Sequence, residues 1–119
     1  MDISGLLSPD ISFWTIWDED SLLAIGAIKR LTNDHGEVKS MHTAEAARRR
    51  GLGSAMLLHI IANASAGGMS RLSLETGSSD YFRPARVLYK SFGFIECRPF
   101  GDYVEDPNSV FMTLDLRDT

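Results

Sequence analysis

The chain has 119 residues, of which 44% are apolar and 24% are charged, and its formal net charge is −4 at pH 7. This balance is typical of one folded domain and excludes a disordered chain or two separate cores. An acidic protein is a poor nucleic-acid binder, because the phosphate backbone demands a basic surface. The single cysteine allows no internal disulfide, and no apolar run approaches the length of a membrane span. We expect a cytoplasmic protein with one domain over residues 1–119, without a membrane or nucleic-acid partner.

Three strands are predicted in the first third of the chain. Residues 11–17 are rich in β-branched and aromatic side chains, and residues 22–31 continue this pattern around Gly26, a possible bulge or site of close approach. Residues 33–36 have the composition of a hairpin turn, and a third strand follows over residues 37–43. The short connections predict an antiparallel meander.

The pattern then changes to that of a helix. Residues 52–66 combine Leu, Met, Ile and Ala, and Gly67-Gly68 stops the helix. Residues 71–76 alternate as a strand does. This strand, the helix and the strand over residues 37–43 predict a βαβ unit with parallel strands and a right-handed crossover.

The last third predicts a second helix and two strands. The helix covers residues 84–91, with a proline in its first turn and Gly93 as its stop. Strands are predicted over residues 95–98 and 110–116. The loop over residues 99–109 is long enough to suggest a functional role.

A basic turn with two glycines precedes the first helix, in the pattern Arg48-x-x-Gly51-x-Gly53. A helix start offers unpaired N–H groups and the positive end of the helix dipole, so it suits a phosphate or pyrophosphate. Such a turn is also common as a solvated patch. It has neither the third glycine of a dinucleotide fingerprint nor the Lys-Ser/Thr of a nucleotide P-loop.

A second motif lies in the second helix, Ala85-Arg-Val-Leu-Tyr89-Lys-Ser-Phe-Gly93-Phe94. Together with the basic turn and the order of elements, it resembles the GNAT superfamily of acetyl-CoA-dependent N-acetyltransferases. The resemblance implies a mixed α/β fold with a GNAT-like central sheet: a meander, a βαβ unit, a second helix and a terminal hairpin. It also implies acetyl-CoA as cosubstrate and a primary amine of a small molecule or peptide as acceptor.

The resemblance further implies which residues bind acetyl-CoA. Backbone N–H groups of residues 49–54 would hold the pyrophosphate, and residues 41–43 would pair with the pantetheine arm. The implied cofactor-binding residues are Met41, His42, Thr43, Arg48, Arg49, Arg50, Gly51, Leu52, Gly53 and Ser54.

Two residues are implied in catalysis. Tyr89 matches the tyrosine that protonates the leaving thiolate, and Glu37 falls where several family members carry a general base. Glu75 or water is the alternative base, and the Met41 N–H is a candidate oxyanion donor. Without the resemblance, we would interpret Tyr89 as an aromatic residue of the core and Glu37 as a solvated charge at the end of a strand. Loop residues that are candidates for the acceptor pocket are Tyr81, Phe82, Tyr103 and Asn108.

Other chemistries are less supported. His42 and His59 lie in no Cys/His/Asp cluster with ligand spacing, so we expect no metal. The family usually begins with a strand and one or two helices that are reduced here, which leaves an exposed sheet edge and predicts a homodimer or a truncated reading frame. The alternative to an N-acetyltransferase is a non-catalytic acyl-CoA-binding or regulatory module.

Overall fold

The computed structural model describes residues 10–44 and 51–118. Within these residues it contains one mixed sheet of six strands and two α-helices. The strands are β1 Ile11–Asp18, β2 Ser21–Arg30, β3 His35–Thr43, β4 Arg71–Gly77, β5 Ile95–Cys97 and β6 Ser109–Asp115. The helices are α1 Leu52–Ala66 and α2 Arg83–Ser91.

The sheet has the order β1-β2-β3-β4-β6-β5. The first three strands form the predicted antiparallel meander, and β3 and β4 pair in parallel as the βαβ unit requires. β6 lies between β4 and β5 and is antiparallel to both, so β5 and β6 form the terminal hairpin. The predicted fold class is confirmed.

Helix α1 has the predicted bounds and ends at Gly67, and Gly68 follows with a φ of 85°. Its inner side chains are buried against β2 and β3. A Cβ at Gly26 would lie 2.8 Å from atoms of both Met56 and Ile60, so glycine allows α1 to approach β2 closely. No helix in the described ranges is long and apolar enough to cross a membrane.

Strands β4 and β6 have one apolar face, on the side of the helices, and one more polar face on the opposite side. Leu72 and Leu74 of β4 are buried in the core on the side of the helices, with Met112 of β6. The alternating residues of these strands lie on the opposite face, where Ser73 is buried among polar partners. This alternation follows from the period of two along a strand.

The turn predicted over residues 33–36 is misplaced by two residues. His35 and Gly36 already belong to β3, since the Leu31 N–H donates to the His35 carbonyl and His35 pairs with Arg71 of β4. Gly36 is closely packed: a Cβ there would lie 2.6 Å from Met69 Sδ, so that side chain would have to move. Residues with a composition typical of a turn therefore form the start of a strand.

Candidate active site

Strands β3 and β4 lie side by side only at their beginnings. Their parallel register runs from the His35–Arg71 pair to the Glu37–Ser73 pair, and in the described residues it extends no further. Beyond Glu37 the two strands diverge, which opens a gap in the middle of the sheet.

A β-bulge in β3 follows directly after this point. Ile25 of β2 pairs with His42 and Ala27 pairs with Lys39, so two residues of β3 lie opposite the single Gly26. A bulge bends its strand and increases the local twist. The irregularity predicted at Gly26 is therefore present, but the extra residue belongs to β3.

The gap continues into a cleft of about 410 Å³ on the side of the helices. Its walls come from β3, the first turn of α1, the short 3₁₀ turn Asp80–Phe82 and α2. The lining residues are Met41, His42, Thr43, Gly51, Gly53, Ser54, Tyr81, Phe82, Pro84, Ala85, Leu88 and Tyr89.

Most of the predicted cofactor-binding residues meet in this cleft. Those that line it are Met41, His42, Thr43, Gly51, Gly53 and Ser54. Leu52 lies in the same helix turn, half-buried, and does not line the cleft as described. Arg48, Arg49 and Arg50 lie outside the described residues.

The start of α1 has little side-chain cover, which would allow a ligand to approach the backbone closely. Gly51 is the N-cap residue with a φ of 75°, a backbone conformation that favours glycine, and as a glycine it provides no side-chain cap. Gly53 faces α2 and β3: a Cβ there would lie 3.5 Å from Leu88 Cδ2 and 3.6 Å from Thr43 Oγ1. The first N–H groups of the helix thus border the cleft with little side-chain cover.

Tyr89 of α2 is buried at the inner wall of the cleft. Its ring packs edge-on against Phe94 at a centroid distance of 5.7 Å. Among the described residues its hydroxyl has no hydrogen-bond partner. Burial raises the pKa of Tyr89 to about 12, so the phenol stays protonated at neutral pH.

Glu37 lies on the opposite face of the sheet, at the last β3–β4 pair, and it does not line the cleft as described. Only 5% of the residue is exposed, so the interpretation as a solvated strand-end charge is wrong. The Tyr103 hydroxyl donates to Glu37 Oε2 at 2.6 Å, and Lys39 Nζ lies 3.7 Å from the same oxygen.

Tyr103 belongs to the loop between β5 and β6. Its ring packs against Phe100 and Phe111, with centroids 5.2 Å and 5.5 Å away. The pKa of Tyr103 is raised by burial, by its hydrogen bond to Glu37 and by the charges of Glu37 and Glu75. The sequence indicated a functional loop here, but no local signal connects Tyr103 to a strand residue 66 positions away.

Glu75, the alternative base, is half-buried in β4 and also has a hydroxyl donor. Ser109 Oγ donates to Glu75 Oε2 at 2.7 Å. On the polar face of the sheet, Glu37 and Glu75 are therefore each bound by one hydroxyl group.

A chain of polar groups lies beside these carboxylates. His35 Nε2 is 2.8 Å from Ser73 Oγ, which is 3.0 Å from Thr113 Oγ1, and Arg71 donates to Thr113 at 2.9 Å. Burial and the charge of Arg71 lower the pKa of His35, so its ring is neutral at pH 7.

The comparison with known families decides the identity of this fold. The model of the acetyltransferase (GNAT) family matches residues 3–94, more than half of the chain. The chain belongs to the GNAT family. Family membership makes it an acyltransferase, and this favours an enzyme over the non-catalytic module considered from the sequence.

Individual relatives agree with this assignment. An uncharacterised N-acetyltransferase of Bacillus subtilis is 52% identical over 116 residues, which cover 98% of this chain and 77% of the relative. A candidate acyl-CoA N-acyltransferase of Klebsiella pneumoniae has a TM-score of 0.86 at 29% identity, covering 95% of this chain and 78% of that structure. An acetyltransferase of Bacillus subtilis, solved in complex with CoA, shares the fold with a TM-score of 0.77 at 19% identity, covering 95% of this chain and 81% of that one.

Proposed function

We propose that this chain transfers the acetyl group of acetyl-CoA to a primary amine of a small molecule or peptide. The observation that carries the proposal is the cleft at the divergence of β3 and β4. It is bordered by the glycine-rich start of α1 and has the protonated Tyr89 in its inner wall.

The start of α1 is the proposed pyrophosphate site. The uncapped N–H groups after Gly51 and the positive end of the helix dipole both favour an anion. Gly53 and Ser54 line the cleft at the same turn, so the backbone is accessible. We assign Arg48, Arg49 and Arg50 to this site on the sequence motif alone.

The bulged segment of β3 is the proposed site of the pantetheine arm. The register with β4 ends before Met41, and Met41, His42 and Thr43 line the cleft. An extended arm placed there pairs with the backbone of β3 as an added strand does. The opposite wall includes Ala85 and Leu88, which provide apolar contacts.

The proposed reaction is direct attack through a tetrahedral intermediate. The neutral amine nitrogen bonds to the thioester carbonyl carbon, and the oxyanion is stabilised by the Met41 N–H. Collapse of the intermediate breaks the C–S bond and releases the thiolate of CoA, which Tyr89 protonates. The nitrogen loses its proton to Glu37, directly or through water, to give an amide.

A thiol-release assay with acetyl-CoA and a panel of primary amines tests this function. We expect release of one CoA thiol per acetylated amine, with no release when the amine is absent. Binding of acetyl-CoA without transfer to any amine in the panel would contradict the proposed reaction.

A further inference from the structure

The hydrogen bond between Tyr103 and Glu37 joins two distant parts of the chain. Glu37 lies in β3, while Tyr103 lies in the loop between β5 and β6, and their contact is 2.6 Å long. An O–H group that donates to a carboxylate at this distance makes a strong, charge-assisted hydrogen bond.

This contact involves only one of the two carboxylate oxygens. In the described part of the chain, the contacts of the carboxylate with Tyr103 and with Lys39 are both made to Oε2. Within these residues Oε1 forms no hydrogen bond or ion pair of its own.

Several other charged or titratable groups surround Glu37. Lys39 and His35 lie on its own strand, and Lys29 is its cross-strand partner in β2. Glu75 lies on β4, close enough to Tyr103 for its charge to contribute to the raised pKa of that phenol. Among these neighbours, the Tyr103 hydroxyl is the one whose hydrogen bond fixes the carboxylate.

We propose that Tyr103 is the positioning residue of the general base: it fixes Oε2 of Glu37 and directs Oε1 toward the acceptor amine. This inference rests on the proposed role of Glu37 in the acetyl transfer. It also assigns the loop between β5 and β6 to the acceptor side of the site.

The protonation state of the Tyr103 phenol supports its role as a fixed hydrogen-bond donor. The raised pKa keeps Tyr103 protonated throughout the working range of pH, so it always donates to Glu37. The residue is nevertheless 37% exposed, so an acceptor can approach it from solvent.

The test is the pH profile of kcat/KM for Tyr103→Phe, measured with one acceptor amine throughout. This change removes the hydroxyl and keeps the ring against Phe100 and Phe111. The acidic limb is the part of the profile in which kcat/KM rises with pH. Loss of the hydrogen-bond donor to the ionised carboxylate of Glu37 should move this limb to higher pH by about one unit. The rate is then reduced at low pH and recovers as the pH is raised, while the affinity for acetyl-CoA is unchanged.

Ser109→Ala is the matched control, because it removes the hydroxyl that donates to the rival carboxylate Glu75. We expect this variant to leave the acidic limb in place. Phe100→Leu is a second control, which alters the packing of the loop but keeps the Tyr103 hydroxyl. It should also leave the limb in place.

Three outcomes would overturn the inference: an unmoved limb in Tyr103→Phe, a shift caused by Ser109→Ala instead, or equal shifts in Tyr103→Phe and Phe100→Leu. The Glu37→Gln variant separates this inference from the proposed base. If Glu37→Gln retains the full rate, the role of Glu37 fails and the positioning role fails with it. If Glu37→Gln is inactive and Tyr103→Phe shows no shift, only the positioning role fails.

Discussion

At the scale of single residues, Tyr89 is the proposed proton donor to the leaving thiolate. A phenol with a pKa near 12 is protonated at neutral pH, which is the state that this proposed role requires. Its ring position is fixed by the contact with Phe94. The motif in the sequence indicated the residue, and the structure adds the protonation state.

Replacing Tyr89 by Phe should lower kcat by roughly 100-fold, the lower range for loss of a general acid. The dissociation constant of acetyl-CoA should change little, because the ring and its packing remain. Steady-state kinetics and calorimetric titration on the same preparation measure the two effects. A variant with wild-type kcat would remove Tyr89 from the mechanism.

His35 gives a prediction about stability and pH. Its pKa is lowered below the ordinary value of 6.5, first by burial and then by the charge of Arg71. The unfolded chain therefore binds more protons than the folded one just below pH 6.5, and the free energy of unfolding falls as the pH drops through this range. Asp115 has a pKa of about 2, so its titration lowers the stability only at more acidic pH, below its ordinary pKa of 3.8.

The His35→Gln variant should therefore lose less stability than the wild type between pH 7.5 and pH 5. Glutamine does not titrate, and it retains polar groups for Ser73. Urea unfolding at the two pH values measures the difference. Equal losses in both proteins would show that the titration of His35 does not govern this range.

At the scale of elements, the start of α1 carries the cofactor proposal. A Cβ at Gly53 makes only ordinary contacts, so Gly53→Ala should fold normally. Aspartate at the same position is favourable for a helix N-terminus, so Gly53→Asp should fold as well. It places a negative charge where the pyrophosphate is expected to bind.

We expect Gly53→Asp to lower kcat/KM for acetyl-CoA by at least roughly 100-fold, in the range that mispositioning of bound groups produces. Gly53→Ala should retain most of the activity, and both variants should have melting temperatures close to that of the wild type. The pyrophosphate assignment would be wrong if the aspartate variant used acetyl-CoA as well as the alanine variant does.

The elements themselves were predictable because their signals are local. The apolar content of residues 52–66 and the Gly67-Gly68 stop determine α1, and the short connections determine the meander. The contact of Glu37 with Tyr103 was not predictable, since it depends on the closure of a loop 66 residues away. The β-bulge was only partly predictable, because sequence patterns indicate an irregularity without assigning it to one of two paired strands.

At the scale of the whole molecule, β1 lies at the edge of the sheet formed by the described residues and carries exposed apolar side chains. Trp17 is 56% exposed and Phe13 is 42% exposed, and both lie in this strand. An edge strand offers unpaired backbone groups to a second chain, and apolar neighbours favour such pairing. We propose that two copies of the chain associate as a homodimer through this edge.

Light scattering tests the proposal: the wild type should have the mass of a dimer. Trp17→Lys, which places a charge in the exposed part of β1, should shift the population toward the monomer at the same concentration. A wild type that remains a monodisperse monomer would contradict the proposal. Trp17 does not line the cleft as described, so retained thiol release would show that the variant is folded.

The two halves of the proposed site differ in how local their sequence signals are. The proposed acetyl-CoA site combines one helix start and one strand, whose residues lie close together in the sequence. The proposed acceptor side combines β3, β4 and the loop before β6, so its contacts form only on folding.

Calorimetric titration of the chain with acetyl-CoA tests whether the start of α1 binds this cosubstrate. We expect one saturable site per chain, with binding retained in Gly53→Ala and abolished in Gly53→Asp. Absence of binding to the wild-type chain, or equal binding to all three proteins, would contradict this expectation.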